Sequence, residues 1–197
     1  MYSYRIELAI RAATVLHQNQ VRKGEMRFPY VSHPVAVAFI LMDYTDSEDV
    51  IIAALLHDTV EDTDYTLDEL QADFGGNVRE LVESVTEPDV NDSSRGDWKK
   101  RKHAYLKKLK RASVESVMIA AADKIHNMRT VVEAYYGNPT RFKRDFGDVM
   151  KERIDHYQAL ANLINRRLES DIRSEFNHVF QEYQQFVIEL DSSSDSL

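Results

Sequence analysis

Residues 50–64, VIIAALLHDTVEDTD, decide how this chain folds. From Val50 to Leu56 the run is apolar on nearly every side. A helix of that kind belongs in the middle of a bundle, because any other position leaves one of its faces in water. At His57 the run turns polar in a single step, and Asp58, Glu61 and Asp62 follow at once. Ionisable groups at the end of a buried helix lose hydration on folding, and a bound cation is one way to compensate that loss. Glu61 lies four residues after His57 and Asp62 four after Asp58, so a helical continuation keeps them near the same face.

Working outward, Ser47 caps this helix, with Glu48 and Asp49 placed favourably at its positive end. Upstream, Ile6, Ala9, Ile10, Ala13 and Leu16 recur at helical spacing and predict a helix over 4–18. The loop VRKGEMRFPYVS, 21–32, ends on Ser32 as an N-cap, and His33-Pro34 open a second helix to Met42. Downstream, Thr66 and Glu69 form a capping box for a helix to Phe74, stopped by Gly75-Gly76; residues 77–86 form the next. TEPDVNDSSRG, 86–96, reads as a mobile loop. A basic helix follows, then a long helix over 113–136, a break at Gly137-Asn138-Pro139, and helices over 148–169 and 171–190. With no repeat and no convincing strand pattern, the expectation is one all-α domain over 1–190 and a disordered tail, DSSSDSL, over 191–197.

Bulk composition agrees. A hydrophobic share of 43% with only 6 Gly and 4 Pro suits a helical globule. No apolar run approaches the ~18–20 residues of a membrane span, and there are no cysteines. Any metal must therefore be held by His, Asp and Glu, and a reducing, cytoplasmic setting fits. A net charge of −8 argues against a nucleic-acid partner. The segment Arg95–Arg111 runs the other way, with nine Lys/Arg against Asp97; it is either a solvated helix face or a local positive field for a phosphorylated small molecule.

A second polar intrusion occurs at Asp123, where the apolar run in MIAAADKIHN ends. His33, His57, Asp58 and Asp123 thus offer two imidazoles and two carboxylates. Mixed N/O ligation of this kind suits Mn²⁺ or Fe²⁺, with Zn²⁺ a further choice and Mg²⁺ less natural.

The order H…HD…D is the pattern of the HD phosphohydrolases. The flanking blocks RKGEMRFPYVSHPVAVA (22–38), AALLHDTVEDTDYTLDEL (53–70), FGGNVRELVESVT (74–86) and AADKIHNMRT (121–130) resemble the hydrolase domain of the Rel/Spo alarmone enzymes. WKKRKHAYLKKL (98–109) is similar to the stand-alone small hydrolases of that group. The resemblance implies an HD-type helical bundle with a metal site between helices. It implies that His33, His57, Asp58 and Asp123 bind the metal, typically Mn²⁺, and that Glu61 and Asp62 activate the attacking water. Arg22 and Lys23 would contact the nucleotide base, Asn127 and Thr130 base or ribose, and Tyr157 would stack or line the pocket, by weaker analogy. His126 is read as supporting the site or packing beside it. The implied reaction removes the 3′-pyrophosphate of a guanosine alarmone, ppGpp or pppGpp. Nothing in 131–197 resembles a synthetase, so degradation alone is expected. GEMRFPY, 24–30, departs from the Ser-Gly-containing loop of longer members, which leaves three other readings open. These are adenosine 3′-pyrophosphates, a 2′-phosphorylated dinucleotide such as NADPH, and a silent alarmone-binding module.

Overall fold

A computed structural model describes residues 3–22, 27–88, 95–146 and 150–192, and these are all-α apart from one isolated bridge. Lys23, the centre of the 86–96 loop and the tail from 193 onward lie outside the described residues.

The apolar run forms α3, Glu48–Leu56, and every residue from Val50 to Leu56 is buried. Around it sit α1 (Tyr4–Leu16), α2 (Ser32–Met42), α6 (Gly76–Val85) and α8 (Val114–Tyr135). Each fully buried Leu or Ile of α3 contributes about 1.5–3 kcal/mol relative to exposure, so this helix anchors the bundle. α8 runs along α2, α6 and α11 (Ile172–Ser192), burying Val117 through Asp123, then Ile125 and Met128. The chain is closed by α7 (Arg95–Leu109) and α10 (Met150–Arg167), which pack on each other. Arg167 secures that corner, donating to the carbonyls of Lys110 and Ala112 at 2.7 and 2.6 Å.

Caps follow the local chemistry, with two exceptions. Thr66 and Glu69 form the expected box at the start of α5 (Leu67–Phe74), and Gly75 ends that helix at φ +94°, a conformation costly for other residues. Ser113 Oγ accepts from Ser116 N–H to start α8. Ser32, however, is not a cap: the chain enters α2 already helical at Val31, and Ser32 Oγ donates back to Pro29 O at 2.8 Å. Ser47 precedes α3 without a side-chain capping bond; Glu48 and Asp49 instead engage Arg5 of α1.

A short helix that the sequence reading left unassigned, α9 (Pro139–Phe146), follows the Gly137 turn. Its charged sequence hides one signal, Phe142 and Phe146 at helical spacing. Phe142 is fully buried against Tyr135 and Phe186, at ring separations of 5.6 and 5.4 Å.

Candidate active site

The site forms where the start of α2, the end of α3 and the middle of α8 meet. After Leu56 the chain makes the expected helical continuation, a single turn α4 (Thr59–Asp62) that holds Glu61 and Asp62 beside His57 and Asp58. His33 near the start of α2 and Asp123 in α8 complete the set.

His33 Nε2 lies 3.1 Å from Asp123 Oδ1 and 3.5 Å from Asp58 Oδ2. His57 Nε2 lies 3.2 Å from Asp58 Oδ2 and 3.9 Å from Asp123 Oδ1. Ligand atoms of His33, His57 and Asp58 all fall within 4.8 Å of one another. The two imidazoles are buried, at 1% and 5% exposure, so one face of each points into a dry cluster of acceptors.

The other ring nitrogens fix the tautomers. His57 Nδ1 donates to Ala54 O at 2.7 Å, and its Nε2, though buried, has no aligned hydrogen-bond partner. His33 Nδ1 pairs with His126 Nδ1 at 2.8 Å. Burial, reinforced by His33 and Arg22, holds His126 down to about 4, so it is neutral and can accept from His33. Both arrangements free Nε2 for a cation, the partnership expected behind ligating histidines. An orphaned buried Nε2 amid two carboxylates fits a divalent metal.

The carboxylates are braced in turn. Tyr30 OH donates to Asp58 Oδ2 at 2.6 Å; Lys124 Nζ donates to Asp123 Oδ2 at 2.6 Å, and Asn127 Nδ2 donates to Asp123 Oδ1. Burial opposes the charge on Asp123, but Lys124 and the imidazoles hold its carboxyl well below the usual range. His57 is the reverse: burial disfavours its cation, yet Asp58 and Asp123 lift it to about 9.

Glu61 and Asp62 stand at the rim. Loss of hydration, with repulsion from Glu87, Asp58 and Asp62, pushes Glu61 up to about 7 although it still meets water. Asp62 is raised for the same first reason, with Asp58 adding to it. A carboxylate near neutrality beside a metal cluster is suited to accepting a proton at working pH.

The cluster lines a cavity of about 240 Å³ that shares Arg22, Tyr30, Lys124 and Asn127 with a larger cleft of about 860 Å³. The bridge Val21–Pro29, with Arg22 N–H to Phe28 O at 3.0 Å, pins both ends of the 21–30 loop. Arg22 thereby reaches α8, donating to Asn127 Oδ1 at 2.8 Å and Thr130 Oγ1 at 3.4 Å, with its guanidinium 5.6 Å from the Tyr30 ring centre. Arg22, Asn127 and Thr130 thus converge, and Asn127 links Arg22 to Asp123. Tyr157 lines the cleft while packing on Tyr183, so it is both a core residue and a pocket residue. The sequence reading gave no role to Tyr30, Lys124 or His156, all of which line the cleft; Lys102 and Arg153 line it too, from the basic stretches 99–111 and 141–153 among which the sequence could not choose. Tyr30 and Lys124 lie within the blocks 22–38 and 121–130 that carry the resemblance, and that was the available signal.

The chain has known relatives. The family model for the HD domain matches residues 9–163. The chain belongs to the HD domain family. Among curated relatives, this HD chain is 41% identical over 115 residues to human guanosine-3′,5′-bis(diphosphate) 3′-pyrophosphohydrolase MESH1, covering 57% of this chain and 62% of that one. It is 35% identical over 162 residues to the bifunctional (p)ppGpp synthase/hydrolase SpoT of Escherichia coli K12, covering 80% of this chain and 21% of SpoT. The chain thus spans less than two thirds of the length of either. Among solved structures, a metazoan ortholog of SpoT that hydrolyses ppGpp matches with a TM-score of 0.76 at 26% identity, covering 92% of this chain and 97% of that one. Among the described residues, no helix is long and apolar enough to cross a membrane.

Proposed function

We propose that the chain is a divalent-metal-dependent phosphohydrolase that removes the 3′-pyrophosphate of guanosine alarmones, ppGpp and pppGpp, with Mn²⁺ as its metal. One observation carries this reading. The buried His33–His57–Asp58–Asp123 cluster, with an unpartnered His57 Nε2, opens on a nucleotide-sized cleft braced by Arg22, Asn127 and Thr130. The names of the relatives point to the same substrate.

His33, His57, Asp58 and Asp123 would hold the metal. When bound, it supplies acidification of water and neutralises charge at the reacting phosphate. Glu61, with Asp62 beside it, orients the water and takes its proton, a contribution of roughly 10²–10⁴-fold. The water oxygen bonds to the phosphorus on the ribose 3′-oxygen, the P–O3′ bond breaks, diphosphate leaves and O3′ is protonated. Arg22, held by Asn127 and Thr130, offers a face for the purine, and Lys23 would contact the same base. Tyr157 lines the same cleft. Lys102, Lys124 and Arg153 line the cleft, where their charge would favour the phosphates.

The test is incubation of the Mn²⁺-loaded protein with guanosine and adenosine 3′-pyrophosphates, NADPH and related 2′- or 3′-phosphorylated nucleotides. Products are resolved by anion exchange. Preferential conversion of ppGpp to GDP and diphosphate is expected. A clear preference for an adenosine or dinucleotide substrate retires the guanosine assignment, and no cleavage of any retires the enzyme.

A further inference from the structure

The basic helix α7 does more than charge the cleft. At the end of α6 the chain turns at Thr86 and Glu87, and the peptide group between them is gripped from both sides. Its N–H, that of Glu87, donates to Glu61 Oε2 at 3.0 Å. Its carbonyl, that of Thr86, accepts from Lys108 Nζ at 3.2 Å. In a trans peptide these two groups point in opposite directions, so an ammonium and a carboxylate sit at opposite ends of one peptide dipole. Each bond polarises the amide in the sense that strengthens the other. The side chain of Glu87 is fixed separately by Lys102, in an ion pair whose members are only 20% and 14% exposed.

Among the described residues, the Glu87 N–H is the hydrogen-bond donor that Glu61 finds. Its other close neighbours, Asp58, Asp62 and the Glu87 carboxylate, repel it. Left to itself, a carboxylate so placed swings toward water, away from the metal cluster. Lys108 lines neither cavity, so its bond to Thr86 serves no ligand directly.

We propose that Lys108, acting through the Thr86–Glu87 peptide, is a positioning residue for Glu61, with the Lys102–Glu87 pair holding that peptide in place. The inference rests on the role proposed for Glu61 above. Two of the basic stretch's lysines are thus turned inward to orient the proton acceptor, while Lys99, Lys100, Arg101, Lys107, Lys110 and Arg111 remain exposed.

The test is Lys108→Met in the full-length, metal-loaded protein, alone and combined with Glu61→Gln. In the wild-type background kcat for ppGpp should fall about tenfold, the worth of one charge-assisted hydrogen bond. KM should stay within about twofold and metal content should not change. Lys108→Arg should restore most of the loss. In the Glu61→Gln background the same substitution should cost nothing further, since the group it positions is already disabled. An unchanged kcat, or an equal fall in both backgrounds, overturns the proposal. Glu87 amide exchange supplies an arm that does not need activity: it should be slow in the wild type and faster in both Lys108→Met and Glu61→Gln. Equal exchange in all three sinks the inference even if hydrolysis is found. Should the wild type hydrolyse nothing, the proposed function fails and the exchange result alone decides whether the hold on Glu61 exists.

Discussion

His126 touches the cluster only through His33, and the substitution His126→Phe tests whether that contact sets the metal affinity. In the folded protein His33 Nδ1 and His126 Nδ1 are 2.8 Å apart, so one must donate and the other accept. If His33 is to offer Nε2 to a metal, its own Nδ1 carries the proton and His126 accepts. A phenyl ring in place of the imidazole has no acceptor and leaves a buried N–H unpaired on His33, a residue only 1% exposed. An unpaired buried donor costs about 1–3 kcal/mol, and His33 can relieve part of that by moving its proton to Nε2, the atom the metal needs. Either outcome weakens metal binding by about 10–100-fold, or ~1.4–2.7 kcal/mol, the usual worth of a hydrogen bond behind a ligating histidine. His126→Gln keeps an acceptor and should recover much of the loss. The assay is competition for Mn²⁺ against a chelating dye, with helical content followed by circular dichroism. If His126→Phe binds Mn²⁺ as tightly as the wild type while folded, the tautomer argument is wrong.

The remaining predictions concern the same cluster and the cleft beside it. Asp58→Asn and His57→Ala should each lose bound metal and essentially all hydrolysis while staying helical, whereas Glu61→Gln should keep its metal by elemental analysis and lose turnover. Because His57 sits near 9 in the metal-free protein, it is protonated at pH 7 and must lose that proton to ligate; burial, reinforced by His57, lowers His33, so it releases none. Mn²⁺ binding at pH 7 should therefore release about one proton and weaken as pH falls, which calorimetry in buffers of different ionisation enthalpy measures; buffer-independent heats refute it. Arg22→Ala should lower kcat/KM by about 5–30-fold, with Arg22→Lys recovering only part, if the guanidinium stacks on the base. Asn127 orients that guanidinium, so Asn127→Ala added to Arg22→Ala should cost less than the sum of the two, and strict additivity separates their roles.

What the sequence determined by itself is local. The apolar run 50–56, the Thr66–Glu69 box and the Gly75 stop each lie within a turn or two of the backbone they control, so their helices were legible from spacing alone. The resemblance also implied His33, His57, Asp58 and Asp123 as a ligand set before any geometry was known, because four separated blocks match in the right order. Two expectations failed where a cap competed with a turn: Ser32 bonds back to Pro29, and Ser47 leaves its helix start uncapped. Helix α9 escaped because its burial comes from two phenylalanines meeting Tyr135 and Phe186, not from a continuous apolar stripe. Only the tertiary structure could bring His33 to His126 across 93 residues, or Arg22 to Asn127 across 105. It alone selected Lys102, Lys124 and Arg153 from the crowd of cations, and turned Lys108 toward the peptide that holds Glu61. The reason is physical: a helix's existence depends on neighbours three and four residues away, whereas a cation's partner depends on how separate helices cross, and that is settled by packing around α3.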